Sequence, residues 1–258
     1  MDMPTVKIRE NVLMFYIIRP IMLGKMKMNL SLMTYMMNFQ KDIWIPIVCW
    51  YVKAGDKNIL IDTGAPAEMM KRYWYDDYEE IMPFEKGLKE VANVSPEDID
   101  LVIQTHLHFD HCGNTPKCQN AKVVVQTEEL EFAREPHPLF KGSYLQFSPF
   151  FDGTHFYEVN GDAEILPDIR VIKVPGHSPG TQAVSIQTEN GLMVLSGFCA
   201  VENNFSPPER LRKVWPILVT GVHTNSLQAF DSAVRLKDLG GILIPIHDME
   251  WATKKQIQ

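Results

Sequence analysis

The spacing of apolar and polar positions changes period several times along the chain, and each change marks an element. β-Branched and aromatic residues gather over Val12 to Ile18, Ile43 to Val52 and Asn58 to Ile61, which is strand composition. Gly55-Asp56 separates the last two runs, so they read as the arms of a β-hairpin. Further strands are predicted at Leu101 to Gln104, Ala121 to Gln126, Ile169 to Val174, Gln182 to Gln187, Leu192 to Leu195 and Ile242 to Ile246. Between them the period lengthens. Phe84, Leu88, Val91 and Ala92 share one face of a helix over Phe84 to Asn93, and Ser95-Pro96-Glu97-Asp98 supplies an N-cap, a proline at the first position and acidic residues for a short turn. Leu227, Phe230, Val234 and Leu236 form the core side of a helix over Leu227 to Leu239, which stops at Gly240-Gly241. Arg134 to Pro149 and Ser206 to Pro216 read as long loops.

At 258 residues, 45% hydrophobic and 22% charged, the chain can bury a substantial core, and one domain over residues 1–258 is the simplest organisation. The net charge of -7 supplies no basic face for a phosphate backbone, so a small-molecule substrate is expected and nucleic acid is not. The N-terminal residues do not read as a secretory signal, and charged or polar residues interrupt every apolar run before it reaches membrane-spanning length. A cytoplasmic protein without a membrane partner is therefore expected, with Cys49, Cys112, Cys118 and Cys199 reduced. The methionine-rich stretch Ile21 to Met37 reads equally as a substrate-facing lip or as a homodimer contact.

The densest chemistry follows the predicted strand at Leu101: Thr105-His106-Leu107-His108-Phe109-Asp110-His111-Cys112-Gly113. Residues two apart on a strand point the same way, so His106 and His108 can converge, while Asp110 and His111 must come from a turn or helix start that folds back. Imidazole and carboxylate donors suit Zn(II), Fe(II) or Mn(II). Three histidines at a strand end can be ordinary polar residues, but Pro175-Gly176-His177 and Pro245-Ile246-His247 downstream supply the further donors that a metal site needs.

In its His-x-His-x-Asp-His motif, Asp62-Thr63-Gly64 after a strand, the Pro-Gly-His177 loop and His247, the chain resembles the metallo-β-lactamase superfamily from about Trp44 to His247. Order and spacing, including Val94 to Asp100 before the motif, are most similar to its N-acyl homoserine lactonase branch. The resemblance implies an αββα sandwich of the α/β class and two divalent metal ions, with zinc expected first. It implies that His106, His108 and His177 hold one ion and that Asp110, His111 and His247 hold the other. Where the family has a bridging Asp, this chain has Cys199. That residue can be a thiolate ligand, a buried thiol that leaves the second position short of a donor, or an oxidisable switch. Cys112 is the rival sulfur.

The chemistry that follows is hydrolysis of a carbonyl ester, most specifically a lactone such as an N-acyl homoserine lactone, by water activated on the metals. Asp110 is expected to act as ligand and as the catalytic proton donor to the leaving oxygen. Asp62 is expected either to orient a ligand histidine or merely to cap a turn. Thioester, aryl ester or amide hydrolysis, oxidoreduction at iron and metal-poor small-molecule binding stand as alternatives. The aromatic groups Tyr73-Trp74-Tyr75 with Tyr78, and Phe140, Tyr144, Phe147, Phe150 and Phe151, read as an apolar substrate pocket, as a lid, or as ordinary packing.

Overall fold

The computed structural model describes residues 14–74, 77–198 and 200–258. Among them, β1 (Ile18–Asn29), β2 (Asp42–Ala54), β3 (Lys57–Ile61), β4 (Tyr78–Glu80), β5 (Leu101–Ile103), β6 (Lys122–Gln126) and β7 (His155–Val159) form one sheet in the order β4-β1-β2-β3-β5-β6-β7. The strands β8 (Ala163–Leu166), β9 (Ile169–Lys173), β10 (Gln182–Thr188), β11 (Gly191–Leu195) and β12 (Ile242–Ile244) form the second in the order β12-β11-β10-β9-β8. The predicted hairpin is present: β2 pairs antiparallel with β3 up to Ala54 and Lys57, and Gly55 takes the left-handed conformation the tight turn needs.

Alternation along the strands assigns one face of each sheet to the other sheet and one to a helix. Val48, Trp50 and Val52 of β2, Ile59 and Ile61 of β3, Ile103 and Val124 meet Val171, Val184, Ile186, Met193 and Leu195 of the second sheet in one buried cluster. The intervening residues Cys49, Tyr51, Leu60, Val102 and Val123 pack instead with Phe84 and Leu88 of the helix Phe84–Ala92. On the opposite outer face Ala183 and Val194 pack with Ala233 and Leu236 of the helix Ser226–Asp238. Period-two side chains on both sheets thus produce the αββα sandwich that the resemblance implied.

Two expectations need correction. The first strand does not run over Val12 to Ile18: Val12 and Leu13 lie outside the described residues, residues 14–17 are not part of a strand although the Tyr16 N–H donates to the Gln187 carbonyl at 3.0 Å, and β1 runs from Ile18 to Asn29. The methionine-rich stretch buries Ile21, Leu23, Met26, Met28 and Met33, while Leu32, Tyr35 and Met36 near its end are exposed. Lys25 and Lys27 alternate with Met26 and Met28, which is the signature of a strand with one face buried. Leu227 does not join the core; it is 77% exposed, and Ala229, Ser232, Ala233 and Leu236 form the buried side of its helix. The strands β4, β7 and β8 lie at sheet edges and carry exposed or half-exposed residues, so no apolar run announced them.

No helix among the described residues is long and apolar enough to cross a membrane. The parallel strands β3, β5 and β6 end at one edge, and the parallel pair β11 and β12 ends in the segments that lead to Ala200 and His247. Loops leaving the carboxyl ends of parallel strands supply the functional residues described next.

Candidate metal centre

β3 delivers Asp62 in a left-handed conformation (φ 53°), and β5 delivers Thr105 beside it. The Asp62 carboxylate accepts the Thr105 N–H (2.7 Å) on Oδ1, and the Thr105 hydroxyl (2.8 Å) and His111 Nδ1–H (2.7 Å) on Oδ2. The chain leaves Thr105 through His106 and His108 and turns into one helical turn, Phe109–Cys112, which carries Asp110 and His111 back toward Asp62. Two further loops complete the cluster. His177 follows β9, and His247 follows β12 with its N–H on the Ala200 carbonyl at 3.1 Å.

The donor atoms fall into two trios. His106, His108 and His177 form one, and Asp110, His111 and His247 the other, the atoms of each trio lying within 4.8 Å of one another. Their partners settle which nitrogen of four rings carries the proton. His177 Nδ1 faces the Val222 carbonyl at 2.6 Å and His247 Nδ1 the Pro46 carbonyl at 3.1 Å, so both must donate. His111 Nδ1 donates to Asp62. Thr105 spends its single hydroxyl proton on Asp62 and so accepts from His106 Nδ1 at 3.1 Å. With Nδ1 committed in this way, each of these rings turns its Nε2 inward. His106 Nε2 and His177 Nε2 are 3.1 Å apart, as are His111 Nε2 and His247 Nε2.

Two lone pairs at that separation repel unless something positive lies between or beside them. Burial resists a proton: His177 and His247 are held down to about 4, and His106 and His108 well below the usual imidazole value, by burial first and by the neighbouring histidines second. His111 is the exception; burial lowers it, but Asp110 and Asp62 outweigh that and raise it. His108 Nε2 is buried without a hydrogen-bond partner. Imidazole nitrogens converging beside a carboxylate, four of the five rings disfavoured by burial from taking a proton, are the donor set a divalent cation requires, so the residues fit the metals that the resemblance implied.

Asp62 is thus the orienting residue, not merely a turn cap. Cys112 is not in either trio: its thiol donates to the Leu107 carbonyl at 3.4 Å within an apolar cluster, and burial together with Asp110 and Asp62 pushes its pKa well up. Cys199 and Tyr75, and the side chains of Tyr73 and Trp74, lie outside the described residues. Of the other aromatics, Tyr78, Tyr144 and Phe151 are buried, and Phe147 and Phe151 pack with Phe156. These side chains form a packed cluster.

One residue escaped the sequence entirely. Glu129, in the helix Thr127–Arg134 after β6, is fully buried and hydrogen-bonds to the segments carrying His106, His108 and His177. Beside Thr127-Glu128 it reads as one more acid favouring a helix N-terminus; the clue is that it shares a face with Leu130 and Ala133.

The match to known proteins agrees with this geometry. Residues 42–239 match the metallo-beta-lactamase superfamily. The chain belongs to that superfamily. Within it, 161 residues are 29% identical to an N-acyl homoserine lactonase of Bacillus cereus, covering 58% of this chain and 62% of the relative. Another 27% identity, over 173 residues, links it to the N-acyl homoserine lactonase AttM of Rhizobium radiobacter, covering 60% and 64%. The alignments thus span less than two thirds of those relatives' length. This superfamily member also shares its fold with a mutant of B. thuringiensis AiiA solved with N-decanoyl-L-homoserine at its active site. There the TM-score is 0.75 at 24% identity, over 92% of this chain and 96% of that one. AidC, a dizinc quorum-quenching lactonase in complex with its product, superposes with a TM-score of 0.65 at 17% identity, over 93% and 89%.

Proposed function

We propose that this chain hydrolyses a carbonyl ester, most specifically a lactone of the N-acyl homoserine type, at two divalent metal ions. The observation that carries the proposal is the pair of trios, in which Nδ1 of His106, His111, His177 and His247 is committed to a fixed partner while their Nε2 atoms converge beside the Asp110 carboxylate. His106, His108 and His177 would hold one ion and Asp110, His111 and His247 the other, with Cys199 as a sulfur donor to the second. The Cys199 assignment is supported by its place in the family pattern and by the neighbouring Ala200 carbonyl, which holds the His247 backbone. Zinc suits this N, O and S donor set best, with Fe(II) or Mn(II) as alternatives. When bound, two such ions polarise a carbonyl oxygen and lower the pKa of water.

The chain's own residues do the rest. Asp62, Val222 and Pro46 fix ring orientations, so the donors need not reorganise during turnover. The Asp110 carboxylate, 3.5 Å from His111 Nε2 and 3.8 Å from His247 Nε2, is the catalytic group proposed to take up the proton released by the attacking water and pass it to the leaving oxygen, a contribution of roughly 10² to 10⁴ in rate. An apolar cavity of about 310 Å³, lined by Tyr35, Met36, Met37, Trp215, Leu227 and Phe230, offers room for an acyl arm. Its rim is tied to the centre: the Tyr35 ring packs edge-on against His223, next to the Val222 that orients His177. A cytoplasmic setting accords with the buried free thiols Cys49, Cys112 and Cys118 among the described residues.

The test is acid release by the purified metal-loaded protein from N-acyl homoserine lactones of increasing chain length, beside matched open-chain esters and thioesters. Lactone opening is expected to exceed the others in kcat/KM by about tenfold or more, one unit of roughly 1.4 kcal/mol. Preference for the thioester would move the assignment to that class, and no turnover of any of them would overturn the hydrolase reading.

A further inference from the structure

We infer that Glu129 is a positioning residue for the three-histidine trio, clamping the segment of His106 and His108 to the loop of His177 and tying both to Tyr144. The inference rests on the assignment of those histidines as metal ligands. The carboxylate takes four hydrogen bonds, two on each oxygen. Oε1 accepts the Leu107 N–H (2.9 Å) and the Tyr144 hydroxyl (2.9 Å); Oε2 accepts the Ser178 hydroxyl (2.5 Å) and the Gly180 N–H (3.1 Å). Leu107 stands between His106 and His108, and Ser178 directly follows His177, so one side chain fixes the spacing of two ligand-bearing loops that are far apart in sequence.

The surroundings make the clamp rigid. Ser178 is also bonded to Thr181 by its backbone N–H (3.0 Å) and its hydroxyl (2.6 Å). Gly180 lies so close to the Glu129 backbone that a Cβ there would collide with it. Tyr144 sets its ring edge-on to His108, with centroids 4.8 Å apart, and pairs with it across an isolated β-bridge. The four donors occupy the accepting positions of the fully buried carboxylate, which holds it in a single orientation. Asp62 is hydrogen-bonded to His111 and Glu129 is not, so each trio has a different principal support.

Glu129→Gln preserves shape but turns an NH₂ group toward two donors. Cobalt(II) titration of metal-stripped protein, followed by visible absorption, reads the trios separately in His247→Ala and His177→Ala backgrounds. Glu129→Gln is expected to weaken the three-histidine trio by about 10- to 100-fold and to alter its absorption band, with the other trio changed by less than about threefold. Unchanged affinity and spectrum in a folded Glu129→Gln chain would overturn the inference, as would equal weakening of both trios, which marks a general packing role. If Glu129→Gln does not fold, Ser178→Ala, which removes one link, decides: a several-fold loss confined to the three-histidine trio supports the clamp, and no change overturns it. Failure of the unmodified chain to take up cobalt would overturn the ligand assignment together with the clamp, and is thereby distinguishable.

Discussion

The two donor trios face each other but hold their places by different means. His106, His108 and His177 bring no charge of their own and depend on a hydroxyl, a backbone carbonyl and the buried Glu129 around them. Asp110, His111 and His247 include a carboxylate, and His111 is backed by a second one at Asp62. A neutral trio attracts a cation through lone pairs and preorganisation; a charged trio attracts it through Coulomb energy as well, which is larger in a buried site. Asp62, Asp110 and Glu129 are the buried acids among the described residues, so a thiolate at Cys199 would bring the anionic groups to four, matching two divalent cations.

Stripping both ions should have the largest effect, because it empties both trios at once. Turnover is expected to fall on the order of 10³-fold or more, several kcal/mol of transition-state stabilisation, and to return when metal is restored. Thermal unfolding of the stripped chain should occur at lower temperature, since an ion present at about 1,000 times its Kd stabilises by roughly 4 kcal/mol. Equal melting temperatures with and without metal would mean that the facing lone pairs are satisfied in some other way.

Asp62→Asn sharpens the contrast between the trios. It leaves one acceptor oxygen for three donors, and with the amide oxygen on the Thr105 N–H its NH₂ group faces His111 Nδ1–H and the Thr105 hydroxyl, so metal affinity at the charged trio should drop by about 10- to 100-fold, with a smaller loss at the neutral one through His106. Denaturant unfolding should show a stability loss of about 1.5–3 kcal/mol for hydrogen bonds to a buried charge. A larger loss of affinity at the three-histidine trio would reverse the assignment of supports.

The smallest effect is expected at the neighbouring sulfur. Cys112→Ala should cost about 1 kcal/mol of stability in denaturant titration and leave metal content and turnover unchanged, because its thiol is spent on the Leu107 carbonyl. Loss of an ion from that variant would return Cys112 to the ligand set.

What the sequence made legible follows from where the information sits. His106, His108, Asp110 and His111 occupy one run, and the Pro-Gly before His177 and the Pro before His247 mark loops, so the six donors stood out in the sequence, while their division into two trios came from the resemblance to the superfamily. The hairpin between β2 and β3 was legible from its turn, and the helix Phe84–Ala92 from its period and its stop at Asn93, which adopts the left-handed C-cap conformation. The course of β1 was obscured because lysines alternate with methionines, a pattern that reads as surface until pairing with β2 is known. Glu129 was invisible because its role depends on contacts across 22, 49 and 51 positions of sequence, to Leu107, Ser178 and Gly180. The carbonyls of Val222 and Pro46 carry no side-chain signal at all.

The most direct test of two trios holding two ions is elemental analysis of the gently purified chain beside His177→Ala and Cys199→Ala. Two divalent ions per chain are expected in the unmodified protein and one in each variant, the neutral trio losing its ion in His177→Ala and the charged trio in Cys199→Ala. A metal-free unmodified chain, or a count that His177→Ala leaves unchanged, would contradict the account.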